Sequence, residues 1–311
     1  MIVYSDSKKM LNKYFGAPAV CEAGPDESAE GDLKEFRRLF FDGRPHFKGK
    51  VEGRCFWRLA FLVERARMSQ YDLLVEMARK GVSLPDRMIC LADSGDRFHG
   101  QRGRPWTALG GNIHLSIHLA PGCPIPYFGT GFSILAAVAL IDAVDGLPDF
   151  EGRAEIKWVN DIWLDGAKIA GFLAYTQSRD SIVDRAILGI GLNVETTPNI
   201  GGDLFVPRTS SLREAAAGKE GPSTAVVLGG LLLALERNYS DLRAGRYEDL
   251  LFRYKKRCLV LGRRITLFSD SPGSDPHEIV TGKVCAIGTN LELYLEGHSK
   301  PFTSGRLVLL P

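Results

Sequence analysis

The sequence predicts an α/β (α+β) protein in which a mixed β-sheet flanked by helices is followed by a small C-terminal β-barrel. Three observations predict this class. Short apolar strands alternate with helical patterns as far as residue 257. The segment 112–119 alternates strictly between Ile or Leu and His or Ser, as a half-buried strand does. Beyond residue 257 only short alternating strands remain, the first at 258–262, and they are separated by Gly, Asp, Ser and Pro.

Length and charge narrow the function classes. The chain has 311 residues, which suggests about two domains of roughly 150 residues each. The 39 Lys and Arg nearly balance the 37 Asp and Glu, so a net charge of +2 argues against a surface that coats a polyanion. The longest apolar runs, 134–140 and 225–235, fall short of the roughly 18 residues of a membrane span. We therefore expect no membrane association.

The cysteines and the N-terminal residues predict a cellular compartment. Six cysteines are spread along the chain without a C-x-x-C pair or a nearby histidine that completes a zinc pattern. The first ten residues contain no basic segment followed by an apolar one, so no signal peptide is expected. Unpaired thiols are typical of a reducing compartment. The sequence therefore predicts a cytoplasmic protein.

Three regions are predicted along the chain. Residues 1–48 are expected to be an N-terminal extension of unknown role, with a turn-rich acidic loop and then a short amphipathic helix at 32–41. No second helix suits a helix-turn-helix, so operator DNA is not an expected partner. The main domain is placed at 49–257 and the C-terminal domain at 258–311.

The main domain is predicted to open with a buried strand at 54–63 and a helix that begins at Ser69. Ser69 and Asp72 have the spacing of a capping box. Asp165-Gly166 predicts a tight turn that makes a hairpin of the strands on either side. The further predicted elements are strands at 88–92, 112–119, 156–164, 168–175 and 186–194, and helices at 130–144, 223–242 and up to 256.

The segment 93–111 is unusually rich in glycine and also carries three arginines, at 97, 102 and 104. Such a loop exposes backbone N–H groups beside positive charge, which suits a phosphate. A flexible surface loop is the alternative, and composition alone does not decide between them. His114 and His118 on the next strand are interpreted as ordinary polar-face residues rather than metal ligands, because no acid or cysteine lies at ligand spacing.

Three motifs carry a family resemblance. The stretch 98–106 reads F-H-G-Q-R-G-R-P-W, 157–161 reads K-W-V-N-D followed by K-I-A-G at 168–171, and 189–193 reads G-I-G-L-N. Together they resemble the catalytic domain of biotin protein ligases, in the biotin/lipoate protein ligase superfamily. The resemblance covers roughly residues 55–311 and implies an SH3-like barrel at the C-terminal end. It includes no counterpart of the DNA-binding domain of the bifunctional members, so a ligase-only type is expected.

The chain departs from the family pattern at two places. Phe98, His99 and Gln101 stand where the family loop, G-R-G-R-x-G-R-x-W, has a glycine and two arginines. Aligned on the helix start, Arg67-Met68-Ser69 stands where the family usually has Ser-Thr-Asn, whose side chains contact the biotin ring. Arginine and methionine cannot reproduce two hydroxyl contacts. Either this alignment is out of register or the ring is recognised differently.

The resemblance implies a role for each matched residue. Lys168 and Arg104 are expected to be catalytic, Lys168 between the acyl carboxylate and the α-phosphate and Arg104 on the phosphates. Trp106 is expected to cover the adenine, Asn193 to bond its edge, and Asp161 to hold Mg²⁺. The implied ATP-binding residues are Gly100, Arg102, Gly103, Trp106, Asn160, Asp161 and Asn193. The implied biotin-binding residues are Ser69, Gly95, His99, Gln101, Gly111, Ser116, Lys168, Gly171, Gly189 and Gly191.

The implied reaction joins two anions. A carboxylate must approach the α-phosphate of ATP, and at ~4 Å their repulsion is roughly 4 kcal/mol at an effective dielectric constant of 20. Fixed cations must offset it. The resemblance implies that biotin is activated as biotinyl-5'-AMP and transferred to a lysine of a biotin carboxyl carrier domain of a carboxylase. A lipoate or octanoate ligase and a non-catalytic binding paralogue remain alternatives, and a homodimer is left open.

Overall fold

A computed structural model describes residues 1–16, 18, 20–23, 31–52, 56–271 and 275–310. The strands within these ranges are β1 (Ile2–Ser5), β2 (Val20–Ala23), β3 (His46–Lys50), β4 (Leu59–Ala66), β5 (Met88–Gly95), β6 (Ile113–Leu119), β7 (Cys123–Pro124), β8 (Ala154–Lys157), β9 (Asp161–Leu164), β10 (Ala167–Arg179), β11 (Ile182–Leu192), β12 (Arg264–Phe268), β13 (Glu278–Ile287), β14 (Leu293–Leu295) and β15 (Arg306–Leu309). The helices are α1 (Lys8–Phe15), α2 (Asp32–Phe40), α3 (Gln70–Arg79), α4 (Phe128–Asp145), α5 (Leu212–Ala215), α6 (Thr224–Arg243) and α7 (Tyr247–Lys256).

A large mixed sheet organises the molecule, in the order β2-β3-β1-β4-β5-β6-β11-β10-β9-β8, with β7 added beside β11. The pairs β1–β4 and β4–β5 are parallel, and the other pairs are antiparallel. A second, four-stranded antiparallel sheet has the order β14-β13-β12-β15. The predicted class, a mixed sheet with helices and a small C-terminal β segment, is confirmed.

Helices cover both faces of the large sheet. Ile113, Leu115 and Ile117 of β6 pack in one core cluster with α4, whereas Cys90 of β5 and Ile187 of β11 pack in another with α3. Every residue of β6 is buried, so the predicted half-buried strand is wrong in that respect. The polar face of β6 is covered because α3 and the segment after β5 lie on it.

Helix α4 is the central helix of one face. Of the described helices it alone is long and apolar enough to cross a membrane by length and composition, with a mean hydropathy of 1.6. Two thirds of it is buried inside the protein, where it packs against α6, α7 and β10. Its apolar character is therefore explained by its place in the core.

The N-terminal residues extend the large sheet by three strands. β1 pairs in parallel with β4, with Ile2 opposite Leu59, and β3 and β2 follow outward. α1 begins at the N-cap Ser7 and ends at Gly16 in the left-handed conformation. The ammonium group of Lys13 on α1 lies 3.3 Å from Asp93 at the end of β5. The predicted domain boundary at residue 49 falls inside β3.

Two local predictions are wrong. The segment 156–164 is not one strand but two, β8 and β9, joined by a tight turn at 158–160. The apolar run at 258–262 is a turn after α7 and not a strand. At the turn between β8 and β9, the indole N–H of Trp158 donates to the carbonyl of Leu291 in the C-terminal region, at 2.8 Å. The predicted hairpin at Asp165-Gly166 is confirmed.

Candidate active site

Two adjoining pockets lie on the α3 side of the large sheet. The first is bounded by β6, β10 and β11, by the start of α3, and by residues 95–106, here named the strap. The second lies between the β8–β9 turn, the loop 193–209 and β15 of the C-terminal sheet. The side chains that line both pockets, and so form the wall between them, are Gln101, Arg104, Pro105, Trp106, Asn160, Asp161 and Lys168.

Lys168 lies in this wall, and its ammonium group forms an ion pair with Asp161. Its ammonium group lies 2.7 Å from Asp161, and the two side chains are only 19% and 20% exposed. The pairing of β9 with β10 is irregular between Lys168 and Ala170. The backbone of Lys168 also bonds the segment that follows β11. Its N–H donates to the carbonyl of Arg208 at 3.0 Å, and its carbonyl accepts from the N–H of Ser210 at 3.0 Å. The lysine therefore projects from a doubly anchored position.

Two glycines of β11 make room for aromatic rings. A Cβ atom on Gly191 would lie 2.4 Å from the ring of Trp106, and one on Gly189 would lie 2.9 Å from the ring of Tyr71. Larger residues cannot stand there without moving these rings. The neighbours that approach both glycines most closely are side chains. Trp106 thus packs beside Gly191 and lines both pockets.

His114 holds the indole of Trp106 by a hydrogen bond. The indole N–H of Trp106 donates to Nδ1 of His114 at 3.3 Å, and Nε2 of His114 lies 3.1 Å from the carbonyl of Leu109. A carbonyl only accepts, so Nε2 carries the proton and Nδ1 accepts. Burial lowers the pKa of His114 to about 4, so the ring is neutral near pH 7. His118 likewise bonds a backbone carbonyl, that of Pro85.

The strap is tied to the rest of the protein at several points. The ring of Phe98 rests on Gly95, where a Cβ atom would lie 2.3 Å from it. His99 bonds the carboxylate of Asp72 on α3, with Nε2 at 2.9 Å from each carboxylate oxygen. Asp72 is therefore committed to the strap, and Ser69 makes no side-chain cap, so the predicted capping box is wrong.

The far end of the strap is tied to the C-terminal sheet. The guanidinium group of Arg104 lies 2.7 Å from Asp270, two residues beyond the end of β12, and that of Arg102 lies 3.8 Å from it. Asp270 is 12% exposed, so this ion pair is largely shielded from water. The arginine that lines both pockets is therefore positioned by a carboxylate from the other sheet.

The second pocket offers a cation and an unpaired acceptor. Burial lowers the pKa of Lys157 to about 8, and its ammonium group donates to the carbonyl of Phe205 at 2.5 Å. The side-chain amide of Asn193 donates to Ser210 at 3.0 Å, but its Oδ1 is buried without a partner. Arg306 of β15 lies over the ring of Phe205 and 3.2 Å from Asp203. A buried acceptor without a donor points to a ligand N–H.

The structure brings most of the predicted site residues together. Those lining the first pocket are Ser69, His99, Gly100, Gln101, Arg104, Trp106, Ser116, Asn160, Asp161, Lys168, Gly171, Gly189 and Gly191. Those lining the second are Gln101, Arg104, Trp106, Asn160, Asp161, Lys168 and Asn193. Four predicted residues line neither pocket, namely Gly95, Arg102, Gly103 and Gly111.

These four residues make contacts within the fold, outside the two pockets. Gly95 lies under Phe98, and Gly103 adopts a positive φ of 74° in the turn of the strap. The carbonyl of Gly111 accepts from the backbone of Glu195 and from the hydroxyl of Thr224. Arg102 points to Asp270. Near the helix start, Arg67 pairs with Asp42 and only Ser69 of the 67–69 triplet lines the first pocket.

Several functional candidates were not predicted from the sequence. Tyr71, Asp72, Asp270 and Arg306 reach the pockets or their lining only through the fold, and no local pattern marks them. Lys157 is the first residue of the K-W-V-N-D motif, so the motif could have predicted its position beside the site. A grouping of three or more His, Cys, Asp or Glu suited to a metal is not found among the described residues.

Comparison with known proteins agrees with this geometry. Residues 84–193 match the model of the Biotin/lipoate A/B protein ligase family. The bifunctional ligase/repressor BirA of Bacillus subtilis is 29% identical over 179 residues, 57% of this chain and 54% of that protein. The biotin--[acetyl-CoA-carboxylase] ligase of Mycobacterium tuberculosis is 28% identical over 214 residues, 67% and 74% of the two chains. The chain thus spans about half the length of the Bacillus relative.

A solved structure shares the fold. The biotin protein ligase from Aquifex aeolicus, in complex with biotin and ATP, has a TM-score of 0.62 at 20% identity and covers 81% of this chain and 98% of its own. Residues 84–193 are therefore similar to the Biotin/lipoate A/B protein ligase family, and the chain has the fold of this solved biotin protein ligase. The resemblance to biotin protein ligases that the motifs predicted is confirmed by the family match and by these similar proteins.

Proposed function

We propose that this chain is an ATP-dependent ligase that activates biotin as biotinyl-5'-AMP and transfers it to a lysine of a biotin carboxyl carrier domain of a carboxylase. One observation carries the proposal. Lys168 lies in the wall shared by two pockets, so that a ligand in each pocket would meet at its ammonium group. The Mycobacterium tuberculosis relative, which is named a biotin--[acetyl-CoA-carboxylase] ligase, supports the substrate class.

The first step is the attack of a carboxylate oxygen of biotin on the α-phosphorus of ATP. An O–P bond forms, the bond to the bridging oxygen breaks, and pyrophosphate leaves with the electron pair. Lys168 and Arg104 would offset the repulsion between the anions and stabilise the charge that develops on the phosphoryl oxygens. Because Asp161 and Asp270 hold these cations, little reorganisation is needed when the reactants arrive.

The second pocket fits the nucleotide. Oδ1 of Asn193 would accept from the exocyclic amine of adenine, which satisfies its unpaired position. Backbone N–H groups of the strap and the charge of Lys157 would face the phosphates. Trp106 extends from the strap over the junction, where it would cover the adenylate.

Mg²⁺ is proposed to enter with ATP. One carboxylate, that of Asp161, lines the junction where the phosphates would lie, and Mg²⁺ commonly takes one or two carboxylates together with phosphate oxygens. The donor set therefore fits a metal that the nucleotide brings, and it would supply further charge neutralisation. Asp161 would then be shared between the metal and Lys168.

In the second step the amine of an acceptor lysine attacks the carbonyl carbon of the adenylate. A C–N bond forms, the C–O bond to AMP breaks, and the amine loses a proton. Lys168 acts here as an electrostatic stabiliser and not as the nucleophile, because its ammonium group is held by Asp161 at 2.7 Å. The acceptor lysine comes from the partner protein.

The location and remaining partners are part of the proposal. Five cysteines within the described ranges, Cys21, Cys90, Cys123, Cys258 and Cys285, are not in disulfides. We propose a cytoplasmic protein that binds neither DNA nor membranes, and a homodimer stays open. The Bacillus relative is a repressor as well as a ligase, so a mobility-shift assay with operator DNA is the relevant check.

Changing Lys168 to Ala tests the reaction. Pyrophosphate release with biotin, ATP and Mg²⁺ is expected to fall by about 10²-fold or more, the usual effect of removing one such stabilising group. Lys219→Ala is the matched control, since Lys219 is an exposed lysine paired with Asp149 far from the pockets. Near-normal pyrophosphate release by a folded Lys168→Ala variant would reject the role of Lys168.

The acyl substrate is tested separately. We expect biotin with ATP and Mg²⁺ to raise the melting temperature of the protein more than lipoate or octanoate under the same conditions. A larger rise with lipoate would assign the chain to that branch of the family. Binding of biotin without any pyrophosphate release would identify a non-catalytic binding protein instead.

A further inference from the structure

We propose that Asp72 is a positioning residue that, by its hydrogen bonds to the His99 ring, holds the strap closed over the first pocket, and that this hold depends on pH. The inference rests on the proposed function only in taking the ligand of the first pocket to be biotin or its adenylate. The contact between His99 and Asp72 forms without any ligand in the pocket.

The hydrogen-bond partners of His99 fix its charge. Nε2 lies 2.9 Å from both carboxylate oxygens of Asp72, and Nδ1 lies 2.9 Å from the carbonyl oxygen of Gly100. A carboxylate and a carbonyl can only accept, so each ring nitrogen must donate. A ring that donates from both nitrogens is an imidazolium cation. The geometry therefore describes the protonated form of His99.

The surroundings favour that form. Burial lowers the pKa of His99, but the carbonyl of Gly100 and the carboxylate of Asp72 together raise it above its ordinary 6.5. Closure of the strap by this contact is thus fully present below about pH 6.5. The stabilisation by the charged pair is lost as pH rises through the raised pKa, because the neutral ring keeps one N–H and can no longer donate to both Asp72 and the carbonyl of Gly100.

Tyr71 and His114, which also line the first pocket, keep their charge state in this range. The remaining titratable or charged side chains lining it are Tyr71 on α3, Arg104 on the strap, His114 on β6, Asp161 on β9 and Lys168 on β10. Burial raises the pKa of Tyr71 to about 12 and lowers that of His114 to about 4. Arg104, Asp161 and Lys168 are held in ion pairs at 2.7 Å.

Movement of His99 would carry the rest of the strap with it. Residue 99 forms a backbone bridge to Pro105, and the N–H of Gly100 donates to the carbonyl of Arg104 at 2.7 Å. The N–H of Trp106 donates to the carbonyl of Phe98 at 2.9 Å. The strap is thus a small folded unit, and Arg104 and Trp106, which line both pockets, belong to it.

The test compares Asp72→Asn with a matched control in the full chain without ligand. Glu76→Gln removes the same charge one turn along α3, where the carboxylate bonds Lys80 at 2.6 Å and does not line the pocket. The NMR signal of the His99 ring is assigned with His99→Gln. We expect it to titrate at a lower pH in Asp72→Asn, and at the same pH as in the wild type in Glu76→Gln. Protection factors of the strap amides are expected to drop by about fivefold to tenfold in Asp72→Asn, the loss of one charged hydrogen bond.

A second variant keeps the proposal testable if Asp72→Asn does not fold. His99→Arg supplies a cation at every accessible pH, so the pH dependence of strap protection and of biotin release should disappear. Persistence of that dependence in His99→Arg would overturn the proposal. An unchanged His99 titration in a folded Asp72→Asn, or a wild-type titration at or below pH 6.5, would overturn it as well. If biotin does not bind at all, the proposed function fails while the titration and exchange measurements still decide the role of Asp72.

Discussion

At the scale of single residues, His114 links chemistry at the pocket to stability of the fold. It is buried, neutral, and bonded on both ring nitrogens, to the indole of Trp106 and the carbonyl of Leu109. Protonation would place a charge in the core and remove the acceptor for Trp106. Because the unfolded ring takes up a proton near pH 6.5 and the folded ring near pH 4, the unfolded state binds more protons between these values.

The free energy of unfolding is therefore expected to fall as pH drops from 6.5 to 4. At about 1.4 kcal/mol per pKa unit the loss attributable to His114 is about 3 kcal/mol. Urea titrations at several pH values measure it. His114→Gln should flatten this slope, whereas His298→Gln, at an exposed position, should not. An equal acid slope in wild type and His114→Gln would contradict the assignment.

At the scale of elements, β11 and the strap depend on each other. Trp106 lies against Gly191, and Tyr71 of α3 lies against Gly189 two residues earlier on the same face of β11. The missing side chains leave a shallow depression that the rings fill. The strap, α3 and the central strand are therefore packed as one unit around the first pocket.

A methyl group on Gly191 should separate them. Its Cβ atom would lie 2.4 Å from the ring of Trp106, so Gly191→Ala is expected to displace the indole and to lower the free energy of unfolding by about 1–3 kcal/mol. Adenylate formation should fall with it. Gly229→Ala in α6 is the control, since nothing lies within 4 Å of its Cβ position and the change should raise helix stability by about 0.5–1 kcal/mol. Equal behaviour of the two variants would refute the packing role.

At the scale of the whole molecule, the C-terminal sheet contributes directly to the site. Asp270 holds Arg104, Arg306 lines the second pocket, and the carbonyl of Leu291 accepts from the indole of Trp158. These contacts join the two sheets at the wall where the reactants would meet. The C-terminal sheet is therefore part of the site and not only an appended module.

Removing the charge of Asp270 should show this coupling. In Asp270→Asn, Arg104 loses its charged partner, and we expect KM for ATP to rise by about fivefold to tenfold with a smaller change in kcat. Steady-state pyrophosphate release measures both constants. Asp149→Asn removes an exposed carboxylate that pairs with Lys219 and should leave KM unchanged. An unaltered KM in Asp270→Asn would mean that Arg104 is positioned without it.

Local patterns predicted the parts of the site that are local in the chain. The K-W-V-N-D and K-I-A-G motifs located Asn160, Asp161 and Lys168, because a hairpin brings neighbouring residues together. Contacts between distant residues had no such signal, as Arg104 and Asp270 are 166 positions apart. The spacing of Ser69 and Asp72 predicted a capping box that does not form, since a carboxylate early in a helix can cap it or reach across to another segment, as Asp72 does to His99.

The pairing of Arg104 with Asp270 also sets an order of events during synthesis. A ribosome releases the strap long before it releases the segment that follows β12. Until then Arg104 has no carboxylate opposite it, and the second pocket lacks the wall formed by β15. If the proposed function holds, competence to bind ATP should therefore arise only after β12 and β15 have been synthesised, and a nascent chain stalled before β12 should be unable to consume nucleotide.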